Sequence, residues 1–104
     1  MKDTVKIKYI EELIADEKLE AAIEYLTVEL DKEMNVDFLM QRGDLYRKLQ
    51  AFGKALSDYK NITKIDPENK TAETKVKMVE NILSIENTFY YENPYTDETL
   101  FPEM

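Results

Sequence analysis

Apolar side chains recur along this chain at helical intervals. Ile7, Ile10, Leu13 and Ile14 form one run, and Leu19, Ala22, Ile23, Leu26 and Leu30 form the next. Steps of three and four place each run on one face of a helix, with charged residues opposite. Phe38, Leu39, Tyr46 and Leu49 mark a third stretch, and Ala55, Leu56, Tyr59 and Ile62 a fourth. Asp66-Pro67-Glu68-Asn69 then interrupts the pattern, because proline lacks a backbone donor and disfavours helix in the residue before it. The spacing therefore predicts five helices, over about 4–15, 18–31, 35–49, 52–65 and 71–89, in an all-α chain.

The pattern also repeats. Leu19-x-x-Ala22-Ile23-x-x-Leu26 returns 33 residues later as Phe52-x-x-Ala55-Leu56-x-x-Tyr59, so the unit is a helix pair. In that register Leu13 falls on Tyr46 and the loop near Met34 on Pro67. Leu39-x2-Arg42-Gly43-x2-Tyr46, then Ala55-x3-Tyr59, then Pro67 resembles the tetratricopeptide repeat in spacing. The resemblance is to small stand-alone bacterial members of that family, with two repeats and a capping helix. It implies a right-handed superhelix of antiparallel helix pairs, with repeat 1 at about 4–34, repeat 2 at about 35–69, a cap at about 70–89 and a tail at 90–104. Within it, Leu39, Gly43, Tyr46, Ala55, Tyr59 and Pro67 are the repeat-packing positions. Gly43 and Ala55 are the small residues that let paired helices approach, Tyr46 and Tyr59 the large ones that fill the space, and Pro67 the stop. The chain departs from the family pattern at Leu39 and Arg42, at the glycine-free turn Gln50-Ala51, and at Ile10, which stands in the first repeat where the second has Gly43. Ile10 predicts a wider or differently crossed first pair.

The resemblance further implies that the first helix of each pair lines a concave surface. Helical register then nominates Ile7, Glu11, Ile14, Met40, Gln41, Asp44, Arg47, Lys48, Lys75 and Met78 as a partner-binding groove. Isoleucines and methionines would supply adaptable apolar contact there, and the charged residues would orient a ligand. Glu11 and Asp44 stand where the family's clamp for chaperone C-termini needs neutral asparagines, so a terminal carboxylate is an unsuitable ligand.

Composition removes other functions. The chain has 22 acidic and 14 basic side chains and a net charge of −8, which repels phosphate backbones and anionic lipid heads. Neither nucleic acid nor a membrane surface is expected as a partner. Met1 to Lys6 leads into charged helix and not into the apolar core of a signal peptide, which predicts a cytoplasmic protein. Without Cys or His, thiol chemistry, imidazole catalysis and the common zinc sites are excluded. No nucleophile elbow or phosphate-binding glycine loop is present, so no enzymatic activity, cofactor or metal is expected. The expected function is a protein-interaction module that binds a partner peptide or helix. The alternative is a structural homo-oligomer in which tails pack on the array or exchange between copies. Residues 90–104 carry Glu92, Asp97, Glu98 and Glu103 with no base, together with Tyr90, Tyr91, Tyr95 and Phe101. That aromatic content favours fold-back of at least Tyr90 to Tyr95 on the array, over a partner-binding motif in its own right or a frayed terminus.

Overall fold

The computed structural model describes the backbone of residues 2–91 and the side chains of residues 4–85. It is all-helical, with α1 at Lys2–Ala15, α2 at Leu19–Lys32, α3 at Val36–Lys48, α4 at Phe52–Ile65 and α5 at Lys70–Tyr91. No strand occurs among the described residues. The helices fall where the apolar spacing predicts them, with ends shifted by one or two residues. α5 continues through Tyr90 and Tyr91, which the sequence pattern assigns to the tail. The remainder of the predicted tail, with most of its fold-back segment, lies outside the described residues.

Two kinds of start signal operate. α3 and α5 begin after asparagines whose side chains accept from the exposed amides of the first turn: Phe38 N–H donates to Asn35 Oδ1 and Ala72 N–H to Asn69 Oδ1, each at 3.0 Å. Such caps satisfy a donor that has no partner inside the helix. α2 and α4 have no side-chain cap. They follow instead from tight turns that close the preceding helix.

Those two turns have the same construction, 33 residues apart. Glu17 and Gln50 sit in the left-handed region, at φ 60° and 65°. Around the first, Lys18 N–H donates to the Leu13 carbonyl and Glu17 N–H to that of Ile14; around the second, Ala51 N–H donates to Tyr46 and Gln50 N–H to Arg47. This bond pair is the Schellman closure, which usually places glycine at the left-handed residue. Here a glutamate and a glutamine hold it, at a backbone cost of about 1–2 kcal/mol each.

Short connections make consecutive helices antiparallel neighbours, and each helix packs on the one before and the one after it. The core runs through all five: Ile10 from α1, Ala22, Leu26 and Leu30 from α2, Phe38, Leu39 and Leu45 from α3, Ala55, Tyr59 and Ile62 from α4, and Ala72 and Val79 from α5. Each fully buried Leu, Ile or Val contributes roughly 1.5–3 kcal/mol of apolar burial. Equivalent positions 33 apart share this burial, as Ala22 with Ala55 and Leu26 with Tyr59. Ile10 is wholly buried at the place of Gly43.

The most polar part of the interior sits where α2, α3 and α4 meet. Arg42 donates from Nε and Nη2 to the two carboxylate oxygens of Asp58, at 2.9 and 2.7 Å, and from Nη1 to Thr27 Oγ1 at 3.0 Å. The Asp58 side chain is only 3% exposed, so the bidentate geometry is what makes its charge tolerable. Hydrogen bonding to Asp58 raises the Arg42 pKa above its ordinary value. Thirty-three residues earlier stand Tyr9 and Tyr25, which also meet, edge to face, with ring centroids 4.9 Å apart.

Candidate functional site

The site is assembled from Gly43 outward. A Cβ at this position would lie 2.7 Å from Cε1 of Tyr59, closer than carbon atoms approach without displacement, so the missing side chain is what lets the Tyr59 ring lie against α3. The ring is fully buried. Its hydroxyl donates to Asp44 Oδ1 at 2.5 Å. Burial, reinforced by that hydrogen bond, raises the phenol pKa well above its ordinary value, and Tyr59 is a neutral donor.

Asp44 takes a second partner from α5. Lys75 Nζ donates to Oδ1 and Oδ2 at 2.7 and 3.0 Å, and its ammonium lies 5.7 Å from the Tyr59 ring centre. Asp44 therefore joins α3, α4 and α5. One turn on, Arg47 approaches Asp44 at 3.7 Å, and its Nη1 points at Met78 Sδ on α5, also at 3.7 Å. Lys48 makes no ion pair among the described residues.

Beside this cluster an open groove of about 580 Å³ is lined by Ile14, Gln41, Asp44, Leu45, Arg47 and Lys48. Ile14 and Leu45 form its apolar floor. Gln41 Oε1 is buried without a hydrogen-bond partner among the described residues. An unpaired buried acceptor costs roughly 1–3 kcal/mol.

Five of the nominated residues, Ile14, Gln41, Asp44, Arg47 and Lys48, line this groove, and Lys75 and Met78 touch its rim through Asp44 and Arg47. Ile7 and Met40 do not line it. Both are half-buried and pack against the core, and Glu11 is exposed outside the lining. The reason is axial position. Ile7 precedes Ile14, and Met40 precedes Arg47, by two turns, or about 10 Å along the helix; the shared face does not bring them to the same end. Leu45 was not nominated, although its place four residues after Gln41 is a signal for it. The groove's charges are also less available than register implies, because Asp44 and Lys75 neutralise each other. The packing residues Leu39, Gly43, Ala55 and Tyr59 are buried, Tyr46 is half-buried beneath Arg42 and Lys54, and Pro67 is exposed in the turn after α4.

A second polar cluster lies between α1 and α2. Lys6 donates to Glu29 Oε1 at 2.6 Å, with Lys32 at 3.4 Å from Oε2. The Lys6 hydrogen bond lowers the Glu29 pKa below its ordinary value, against the opposing effect of burial.

Among the described residues no group of three or more carboxylates is arranged to hold a metal ion, and no helix is long and apolar enough to cross a membrane. No protein-family model, curated protein or solved structure matches the chain.

Proposed function

We propose that the protein is a non-catalytic interaction module of tetratricopeptide type, which binds a partner peptide or helix in the groove at the C-terminal ends of α1 and α3. The observation that carries this reading is the groove itself. It combines the apolar side chains of Ile14 and Leu45 with the polar Gln41 and the cationic Arg47 and Lys48. Apolar anchorage with a few convergent polar groups is what a peptide site requires. The turns at Glu17 and Gln50, and the residue pairs Tyr9–Tyr25 and Arg42–Asp58, all offset by 33 residues, support the repeat assignment that the concave-face reading uses. A binding role also suits the chemistry available. Asp44, the carboxylate of the groove, is already occupied by Tyr59 and Lys75, and the chain has neither Cys nor His.

The test is affinity capture from the source cell, comparing wild type with Arg47→Glu, Lys48→Glu and the distant exposed variant Lys64→Glu, each checked for retained helicity. Partners lost with both groove variants and kept with Lys64→Glu would support the assignment. An identical partner set for all four proteins would overturn it.

Self-association is the second reading, favoured by the exposed Val5 and Tyr9, one turn apart on α1, and Val28 on α2. Light scattering over a concentration series decides it, because a monomer at every concentration excludes it.

A further inference from the structure

The groove's charge is opposite in sign to that of the whole chain. Arg47 and Lys75 pair with the single carboxylate of Asp44, and Lys48 lines the same groove, although the net charge is −8. Half of that charge lies in residues 92–104, where Glu92, Asp97, Glu98 and Glu103 occur without a base and alongside Tyr95, Leu100 and Phe101. This is the ligand chemistry that the groove calls for, and the same chain carries it.

The geometry of α5 makes the groove reachable. Met78 marks the groove level on that helix, and the described part of α5 runs 13 residues further, to Tyr91, about 20 Å along the axis at 1.5 Å per residue. An extended chain covers up to about 3.3 Å per residue, so seven residues span about 23 Å. By length alone, a segment that turned back after Tyr91 would regain the level of Met78 near Glu98, so Leu100 and Phe101 are within reach of the groove. As far as its side chains are described, one face of α5 beyond Met78 carries apolar residues as well. Met78, Ile82 and Ile85 follow at helical steps of four and three, and Ile85 is 61% exposed.

We propose that residues 92–104 occupy the groove of their own chain, with Leu100 and Phe101 on the floor formed by Ile14 and Leu45, and Asp97 and Glu98 at Arg47 and Lys48. The segment is an internal competitor, and an external partner binds by displacing it, with an apparent affinity reduced by the fraction of closed chains. This inference rests on reading the groove as a peptide site, but it does not require that an external partner exist.

The chain contains no cysteine, so Thr99→Cys in the full-length protein accepts a single nitroxide label. Paramagnetic broadening is then read at the Ile14 and Met78 methyl groups, with exposed Ile65, at the far end of α4, as reference. The expected result is several-fold greater broadening at Ile14 and Met78 than at Ile65, unchanged on dilution and abolished by Leu100→Asp with Phe101→Asp. A second sample mixes nitroxide-bearing, isotopically silent chains with isotopically labelled, unmodified chains, and should show none. Equal broadening at all three methyl groups would overturn the proposal, as would broadening that appears in the mixed sample and fades on dilution, which would assign the segment to a second copy. If capture depends on Arg47 and Lys48 while this broadening is absent, the groove binds partners but not its own segment. If the broadening is present without any capture, the in-chain contact stands and the external partner does not.

Discussion

Tyr59 lies so close over Gly43 that a methyl group on the glycine would meet its ring at 2.7 to 3.2 Å. The opposing atoms belong to a fully buried ring and not to the end of a flexible chain, so they have nowhere to move. Gly43→Ala gains about 1 kcal/mol of helix propensity and loses about 1–3 kcal/mol to overpacking. We expect net destabilisation of about 1 kcal/mol, seen as a lower urea midpoint at unchanged slope. Thirty-three residues earlier the chain has Ile10 and Leu26 at these two positions, a larger residue in place of the glycine and a smaller one in place of the tyrosine. In a Tyr59→Leu background, Gly43→Ala should therefore be neutral or stabilising. Equal effects in both backgrounds would show that the ring is not the obstacle.

The Arg42–Asp58 pair makes a different prediction, because the cost lies in breaking it and not in lacking it. Asp58→Ala leaves the guanidinium without its bidentate partner in a mostly buried site, and we expect a loss of about 3–5 kcal/mol. Replacing both with apolar residues, as Arg42→Met with Asp58→Leu, should recover most of that loss, since neither charge is then stranded. Chemical denaturation of the single and double variants checks this. A double variant as unstable as Asp58→Ala would mean that the pair itself, including its bond to Thr27, holds α2, α3 and α4 together.

This pair also marks the boundary of what the sequence discloses. Helix positions follow from apolar spacing, because burial acts on every third or fourth residue, and the 33-residue offset follows from the Leu19 and Phe52 runs. Gly43 and Tyr59 are legible as a small and a large residue at repeat spacing. By contrast, Arg42 reads as a departure from the tetratricopeptide spacing that its neighbours resemble, and nothing local indicates that its charge turns inward to Asp58 and Thr27. The groove is half legible for a similar reason. Register specifies a face, so Ile14, Gln41, Asp44, Arg47 and Lys48 are found, but not a height along it, so Ile7 and Met40 are nominated although they pack on the core. The Asp44–Lys75 pairing spans α3 and α5 and depends on how those helices are brought together by α4, which no periodicity encodes.

The turns at Glu17 and Gln50 predict a simple stabilisation. Both residues hold a left-handed backbone that glycine adopts without a Cβ penalty. Gln50 is exposed, and neither of the two turn hydrogen bonds uses its side chain. Gln50→Gly should raise stability by about 1 kcal/mol, equivalent to roughly 4–8 °C in melting temperature for a domain of this size. The same substitution two residues earlier, Lys48→Gly, falls on the last residue of α3, where no left-handed backbone is required, and should destabilise by up to about 1 kcal/mol. Thermal denaturation of the two variants gives opposite signs if the turn is as described, and a loss in both would contradict the left-handed geometry at Gln50.

The Glu29 cluster makes stability depend on acid. Its carboxylate accepts from Lys6, and that hydrogen bond holds its pKa below the ordinary value of 4.5. A depressed pKa in the folded state means that the folded chain binds the proton less readily than the unfolded chain does. The stabilisation is therefore complete above about pH 4.5 and is lost as pH falls through the lower folded value. Glu29→Gln removes the titrating group while keeping its shape. The variant should be less stable than wild type at neutral pH, and the gap should close as pH falls below 4.5, because wild type then loses what the variant never had. Urea unfolding at a series of pH values between neutrality and pH 3 measures this difference directly. A gap that stays constant through the acid range would assign the cost of Glu29→Gln to packing between α1 and α2, and not to the charge shared with Lys6.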